Sequence, residues 1–135
     1  MREILFKAKR KDSSEWVEGS LIITEGSVAY IIRSKSKAFI PKGENIICST
    51  ECYEINIETI CQYTGLTDKN GRKIWENDIA YIRSSGLSGY GVIKYENGNL
   101  VLVDSKRKRT YSLYGEWKIR KDGNIFDNAG LLEVE

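Results

Sequence analysis

Apolar and polar residues alternate in short runs along most of the chain, and no segment sustains a helical period. Val, Ile, Thr and Tyr recur between breaks of Gly, Asn, Asp and Ser, the pattern of strands joined by tight turns. Strands are predicted over 3–10, 16–24, 28–34, 38–41, 53–62, 78–82, 91–95, 100–104, 110–114 and 117–126. Asn97-Gly98, set between Glu96 and Asn99, predicts a type I′ hairpin because both central positions of that turn need positive φ. Gly26 marks another hairpin, and Pro41 ends a strand because proline cannot donate to a sheet ladder. Only 49–53 and 127–132 invite helix, each for a single turn.

Alternation also assigns inward positions. In the C-terminal half these are Trp75, Ile79, Ile82, Val92 and Leu100; in the N-terminal half, Ile4, Phe6, Val17, Leu21, Ile23, Tyr30, Ile32 and Ile57. Composition shifts near Leu66, from β-branched apolar residues to Gly, Asn, Lys and Arg, which predicts an N-terminal β lobe over 1–66 and a C-terminal unit over 67–135. From Asp78 the order is strand, Gly-rich loop (84–89), strand, Asn-Gly turn, strand, basic turn, strand. That order predicts a small SH3-like barrel packed with the N-terminal sheet, in an all-β, mainly antiparallel fold. Lobes this small bury little area alone, so they are expected to share a core or to gain burial in a homo-oligomer or against a protein partner.

The segment Gln62–Ile82 carries the densest pattern: Tyr63-Thr64-Gly65-Leu66, then Asp68-Lys69-Asn70-Gly71, then Trp75-Glu76-Asn77-Asp78-Ile79. Gly65, Asn70, Gly71 and Asn77 are expected at corners needing positive φ, and Asp78 as an acceptor for backbone amides. These motifs resemble the signature of the YopX family of phage and prophage proteins. The opening strand Arg2-Glu3-Ile4-Leu5-Phe6-Lys7-Ala8 and the closing motif Gly123-Asn124-Ile125-Phe126-Asp127-Asn128 with Leu131-Leu132 extend the likeness toward both ends. Asn77 stands where that family commonly has glycine, Lys9 where it often has tryptophan, and 24–54 matches no motif of it. The resemblance implies a fold and a phage or prophage setting, and no particular reaction.

Of 135 residues, 41% are hydrophobic and 30% charged, with a net charge of +2, which places the chain among ordinary globular proteins. No apolar run approaches the roughly eighteen residues that span a bilayer, and Met1-Arg2-Glu3 lacks the apolar core of a secretory signal. The expected setting is cytoplasmic, that of the host cell if phage-encoded, with no membrane partner. Cys48, Cys52 and Cys61 are odd in number and read as reduced thiols; the C-x-x-x-C spacing lacks further ligands in a chain without histidine, so no metal or cofactor is predicted.

The absence of histidine also removes the commonest proton carrier, so the chain is expected not to be an enzyme. Glu76 and Asp78, placed on one face of a strand by their spacing, read as turn residues rather than an acid–base pair. Gly86, Gly89 and Gly91 precede no Lys-Ser or Lys-Thr and read as a hairpin loop, with Leu87 and Tyr90 at its tip. The sharpest electrostatic feature is Lys106-Arg107-Lys108-Arg109, with Tyr111 just beyond. Four adjacent cations beside an aromatic make a candidate nucleic-acid contact, whereas the plainer reading is a solubilising turn that protects an edge.

Overall fold

The computed structural model describes residues 3–33 and 51–133. The strand expected over 38–41, Pro41 at its end and Cys48 lie outside the described residues. The chain divides into two compact units, Met1–Gln62 and Tyr63–Glu135.

The first unit is an antiparallel sheet. Strands β1 (Phe6–Lys9), β2 (Trp16–Thr24), β3 (Val28–Arg33) and β4 (Cys52–Glu54) lie in the order β4-β3-β2-β1. Phe6 stands opposite Gly19, Leu21 opposite Ile31, and Ile31 opposite Tyr53. Strand β5 (Cys61–Thr67) begins here, with Cys61 opposite Lys7. The core consists of Ala8, Val17, Ala29, Ile31 and Ile55, with Phe6, Leu21, Tyr53 and Ile60 packed around it.

Two expectations need correction in this unit. The run 53–62 is not one strand: a 3₁₀ turn, Ile57–Thr59, interrupts it. The Asn56 side chain accepts from the Glu58 amide at 3.1 Å, while the Thr59 hydroxyl donates to the Asn56 carbonyl at 2.7 Å and accepts from the Lys9 amide at 2.8 Å. Local side-chain bonds thus outcompete the ladder that the apolar pattern suggested. The core phase of β3 is also shifted by one residue: Ala29 and Ile31 point inward, whereas Ile4, Ile23 and Ile57 are exposed. Apolar residues at 29–32 occupy both faces, so period-2 alternation cannot choose between them.

In the second unit, the rest of β5 pairs with β6 (Lys73–Trp75). Strands β7 (Asp78–Ser84), β8 (Leu87–Glu96), β9 (Asn99–Asp104), β10 (Arg109–Ser112) and β11 (Lys118–Asn124) form a five-stranded antiparallel sheet in the order β10-β9-β8-β7-β11. Ala80, Ile82, Ile93, Leu102, Leu113 and Ile119 are central to its core, and Trp75, Ile79, Val92 and Leu100 are buried as expected. A 3₁₀ turn, Ala129–Leu132, ends the described chain within the segment that invited a single helical turn. The molecule is therefore nearly all antiparallel β in two sheets. No ladder joins β10 to β11 among the described residues; instead the Trp117 indole N–H donates to the Ser112 carbonyl at 3.1 Å.

The Gly-rich stretch 84–89 is not a loop. The hairpin turns on Ser85 and Gly86 alone, at φ of 45° and 85°, and β8 starts at Leu87. Gly89 lies in the strand because the Tyr111 ring occupies the space a side chain there would need. The Asn97-Gly98 hairpin is as predicted, with φ of 51° and 79° between paired Glu96 and Asn99. Among the described residues, no helix is long and apolar enough to cross a membrane.

Candidate polyanion-binding face

Strand pairing in the second unit decides which side chains meet. Residues 80, 82 and 119 point into the core, so Tyr81, Arg83, Lys118 and Arg120 all project from the opposite face of β7 and β11. Register then sets Arg83 directly opposite Lys118 and Tyr81 directly opposite Arg120. On the other side of β7, Tyr81 faces Tyr90 and Arg83 faces Ser88. Two rows therefore cross the three strands: Lys118, Arg83 and Ser88 in one, and Arg120, Tyr81 and Tyr90 in the other.

The first row places two exposed cations side by side. Like charges directly opposite one another destabilise a sheet. Among the described residues, Arg83, Lys118 and the nearby Lys69 form no ion pair. Glu116 lines a hollow of about 690 Å³ together with Arg83 and Lys118 but forms no ion pair with either among the described residues, and an anion bridging the two cations would offset their repulsion.

Two further hollows flank the rows. One, of about 620 Å³, is lined by Lys69, Arg83, Trp117, Lys118 and Arg120 among others; the second, of about 580 Å³, is lined by Tyr90, Lys106, Arg107, Arg120 and their neighbours. Tyr81 and Arg120 border both, so the hollows meet over the second row. Six cationic and three acidic side chains line them, an excess of positive charge in a molecule whose net charge is only +2.

Each of the three acids is bonded to a neighbouring basic side chain, and Asp68 and Asp104 are buried. Burial opposes ionisation of Asp68, yet the Arg72 and Asn70 amides and the Arg72 guanidinium, at 2.8–2.9 Å, hold its carboxyl below the usual carboxylate range. Asp104 behaves alike: burial opposes its charge, but the Arg107 amide at 3.1 Å and guanidinium at 3.2 Å keep its carboxyl low. Asp122 binds the Arg120 guanidinium at 2.9 and 3.2 Å, positioning it 5.1 Å from the Tyr81 ring centre. Burial, reinforced by Asp122, keeps the Tyr90 phenol protonated above its ordinary range.

The basic turn 106–109 is only partly on this face. Lys106 and Arg107 reach the second hollow, with Arg107 tied to Asp104; Lys108 takes the left-handed conformation at φ of 53°, and Arg109 opens β10 opposite Asp104. Tyr111 is occupied with packing. Its ring meets Trp117 edge-on at 6.1 Å, and its hydroxyl donates to the Ser88 carbonyl at 3.0 Å.

The signature residues lie at corners and in the core. Tyr63 stacks obliquely on Trp75 with ring centres 5.5 Å apart, Gly65 takes φ of 85° at a bulge in β5, and Leu66 packs on the core. Gly71 has φ of 81°, but Asn70 is not left-handed; its amide instead donates to Asp68 at 2.9 Å. Asn77, at φ of 72°, donates its amide to the Ile93 carbonyl at 2.7 Å. Glu76 lies in the β6–β7 turn rather than on a strand beside Asp78. Asp78 is fully buried, accepting from the Trp75 amide at 2.8 Å and the Lys121 ammonium at 3.2 Å. Gly123 sits at a bulge against Asn128, and the Asn124 side chain accepts from the Phe126 and Asp127 amides at 2.9 Å. Cys52 is exposed, and the buried Cys61 thiol donates to the Thr59 carbonyl at 3.3 Å.

Sequence reasoning passed over Lys69, Tyr81, Arg83 and Arg120. Lys69 lies in the β5–β6 turn; the signal of the others is a pair of i, i+2 positions on each of two strands, Tyr81 and Arg83 on β7 and Lys118 and Arg120 on β11, which acquires meaning only once β11 is known to lie beside β7.

The fold agrees with comparisons to known proteins. The crystal structure of protein YopX from Bacillus subtilis is similar over 100% of both chains, with a TM-score of 0.54 and 16% sequence identity, a likeness of fold. No curated protein matches the chain. The family model described as YopX protein matches residues 5–133, and the chain belongs to that family.

Proposed function

We propose that this protein is a non-enzymatic binding module that takes an anionic partner on the outer face of β7 and β11. The observation that carries this reading is the pairing of Arg83 with Lys118, two exposed cations held opposite each other that form no ion pair among the described residues. The signature carboxylates support it from the other side, since Asp68 and Asp78 are engaged with turn amides and basic side chains, as groups that hold corners are. A cytoplasmic, phage or prophage setting fits this role, as does self-association.

Charge reversal tests the reading. Lys118→Glu converts a repulsive cross-strand pair into an attractive one, so it should raise thermal stability slightly while lowering the salt needed to elute the protein from heparin. Arg109→Glu makes the same change in net charge outside the two hollows and serves as the reference. Earlier elution of Lys118→Glu than of Arg109→Glu supports the face described here. The reverse order favours the second reading, in which the basic turn 106–109 makes the contact, and equal elution contradicts both.

A further inference from the structure

The anionic partner is recognisable from what stands between the cations. A surface that bound only charge, such as a site for polyphosphate or a sulfated polysaccharide, would need nothing aromatic. Here Tyr81 stands two residues from Arg83 and opposite Arg120, whose guanidinium lies over one face of its ring, Tyr90 stands beside it on β8, and Trp117 borders the first hollow. All three side chains are half-buried, and each lines one of the two hollows. Along a strand, residues two apart are about 6.6–6.8 Å apart, so Tyr81 and Arg83 set one ring and one cation at a spacing suited to a polymer that alternates charge with flat apolar groups. Single-stranded nucleic acid has that constitution, and grooves that bind it combine tracking cations with stacking rings. A duplex hides its base faces and cannot use the rings.

We infer that the outer face of β7, β8 and β11 binds single-stranded nucleic acid, its phosphates bridging Arg83 and Lys118 and a base stacking at Tyr81. This rests on the anion-binding reading above and names its ligand. The strand would run from the Lys69 and Trp117 end toward Lys106 and Arg107, because the two hollows meet at Tyr81 and Arg120. Lys69, Arg83 and Lys118, which form no ion pairs among the described residues, are the cations free to release counterions. With about three phosphates neutralised, the logarithm of affinity should fall against the logarithm of salt with a slope near −2.

The test is fluorescence anisotropy on the full chain with labelled oligothymidylate of about 15 nucleotides, competed by unlabelled duplex and by polyphosphate of equal charge. The expected result is that the single strand outcompetes both by at least about tenfold, and that Tyr81→Leu lowers affinity by about five- to a hundredfold with a nearly unchanged salt slope. Equal competition by polyphosphate, with Tyr81→Leu binding like the parent, overturns the inference and leaves the anion-binding face standing. Preference for duplex also overturns it. No binding of any polyanion overturns the inference and the underlying reading together. Should Tyr81→Leu fail to fold, the competition on the parent protein decides the matter without it.

Discussion

The buried Asp78 carboxylate lies 3.2 Å from the Lys121 ammonium, joining the start of β7 to the middle of β11. The Lys121 side chain is only 18% exposed, so little water is available to compensate its charge if the carboxylate is removed. Asp78→Asn leaves the ammonium half-stranded and should cost about 3 kcal/mol in urea unfolding. Adding Lys121→Met to Asp78→Asn should recover part of that loss, because the stranded charge is removed with its partner. Full additivity of the two changes would contradict the pairing.

Glycines at two kinds of position should respond differently to a single added methyl. Gly98 has φ of 79° with open space around it, so Gly98→Ala meets only backbone strain, about 1 kcal/mol. At Gly91 an added Cβ would enter the Val103 carbonyl of the neighbouring strand, so Gly91→Ala should cost about 3 kcal/mol or more. Thermal melts of the two variants rank them, and a larger loss at Gly98 would refute the packing of β8 on β9.

This contrast shows what the sequence could disclose. Asn97-Gly98 announces its turn because the required dihedrals are a property of those two residues. Gly89 and Gly91 look like loop glycines in the sequence; their reason lies in Tyr111 and Val103, which approach only after β9 and β10 have folded back. The break in 53–62 was hidden for a related reason: Asn56 reads as a polar interruption of a strand, and its capping role depends on Thr59 meeting β1. The proposed face was least legible. Its basic turn stands out as four consecutive cations, but the opposition of Arg83 and Lys118 exists only through long-range register.

Acid should loosen the second unit through its two turn carboxylates. Asp68 and Asp104 are held below the usual carboxylate range, so each stabilises the fold above its unfolded value of about 3.9 and loses that contribution as pH falls toward the folded value. The melting temperature should therefore drop steeply below about pH 4. Asp104→Asn should be less stable than the parent near neutrality and show a shallower decline in acid. Parallel curves for variant and parent would deny the Asp104 carboxylate its place in the turn.

The most direct test of the account is amide-resolved NMR during titration with oligothymidylate. Binding at the outer face should concentrate chemical-shift changes on Tyr81, Arg83, Lys118 and Arg120, spreading to Lys69 at one end and Arg107 at the other. Changes confined to Lys108 and Arg109, scattered over the first unit, or absent at saturating oligonucleotide would contradict it.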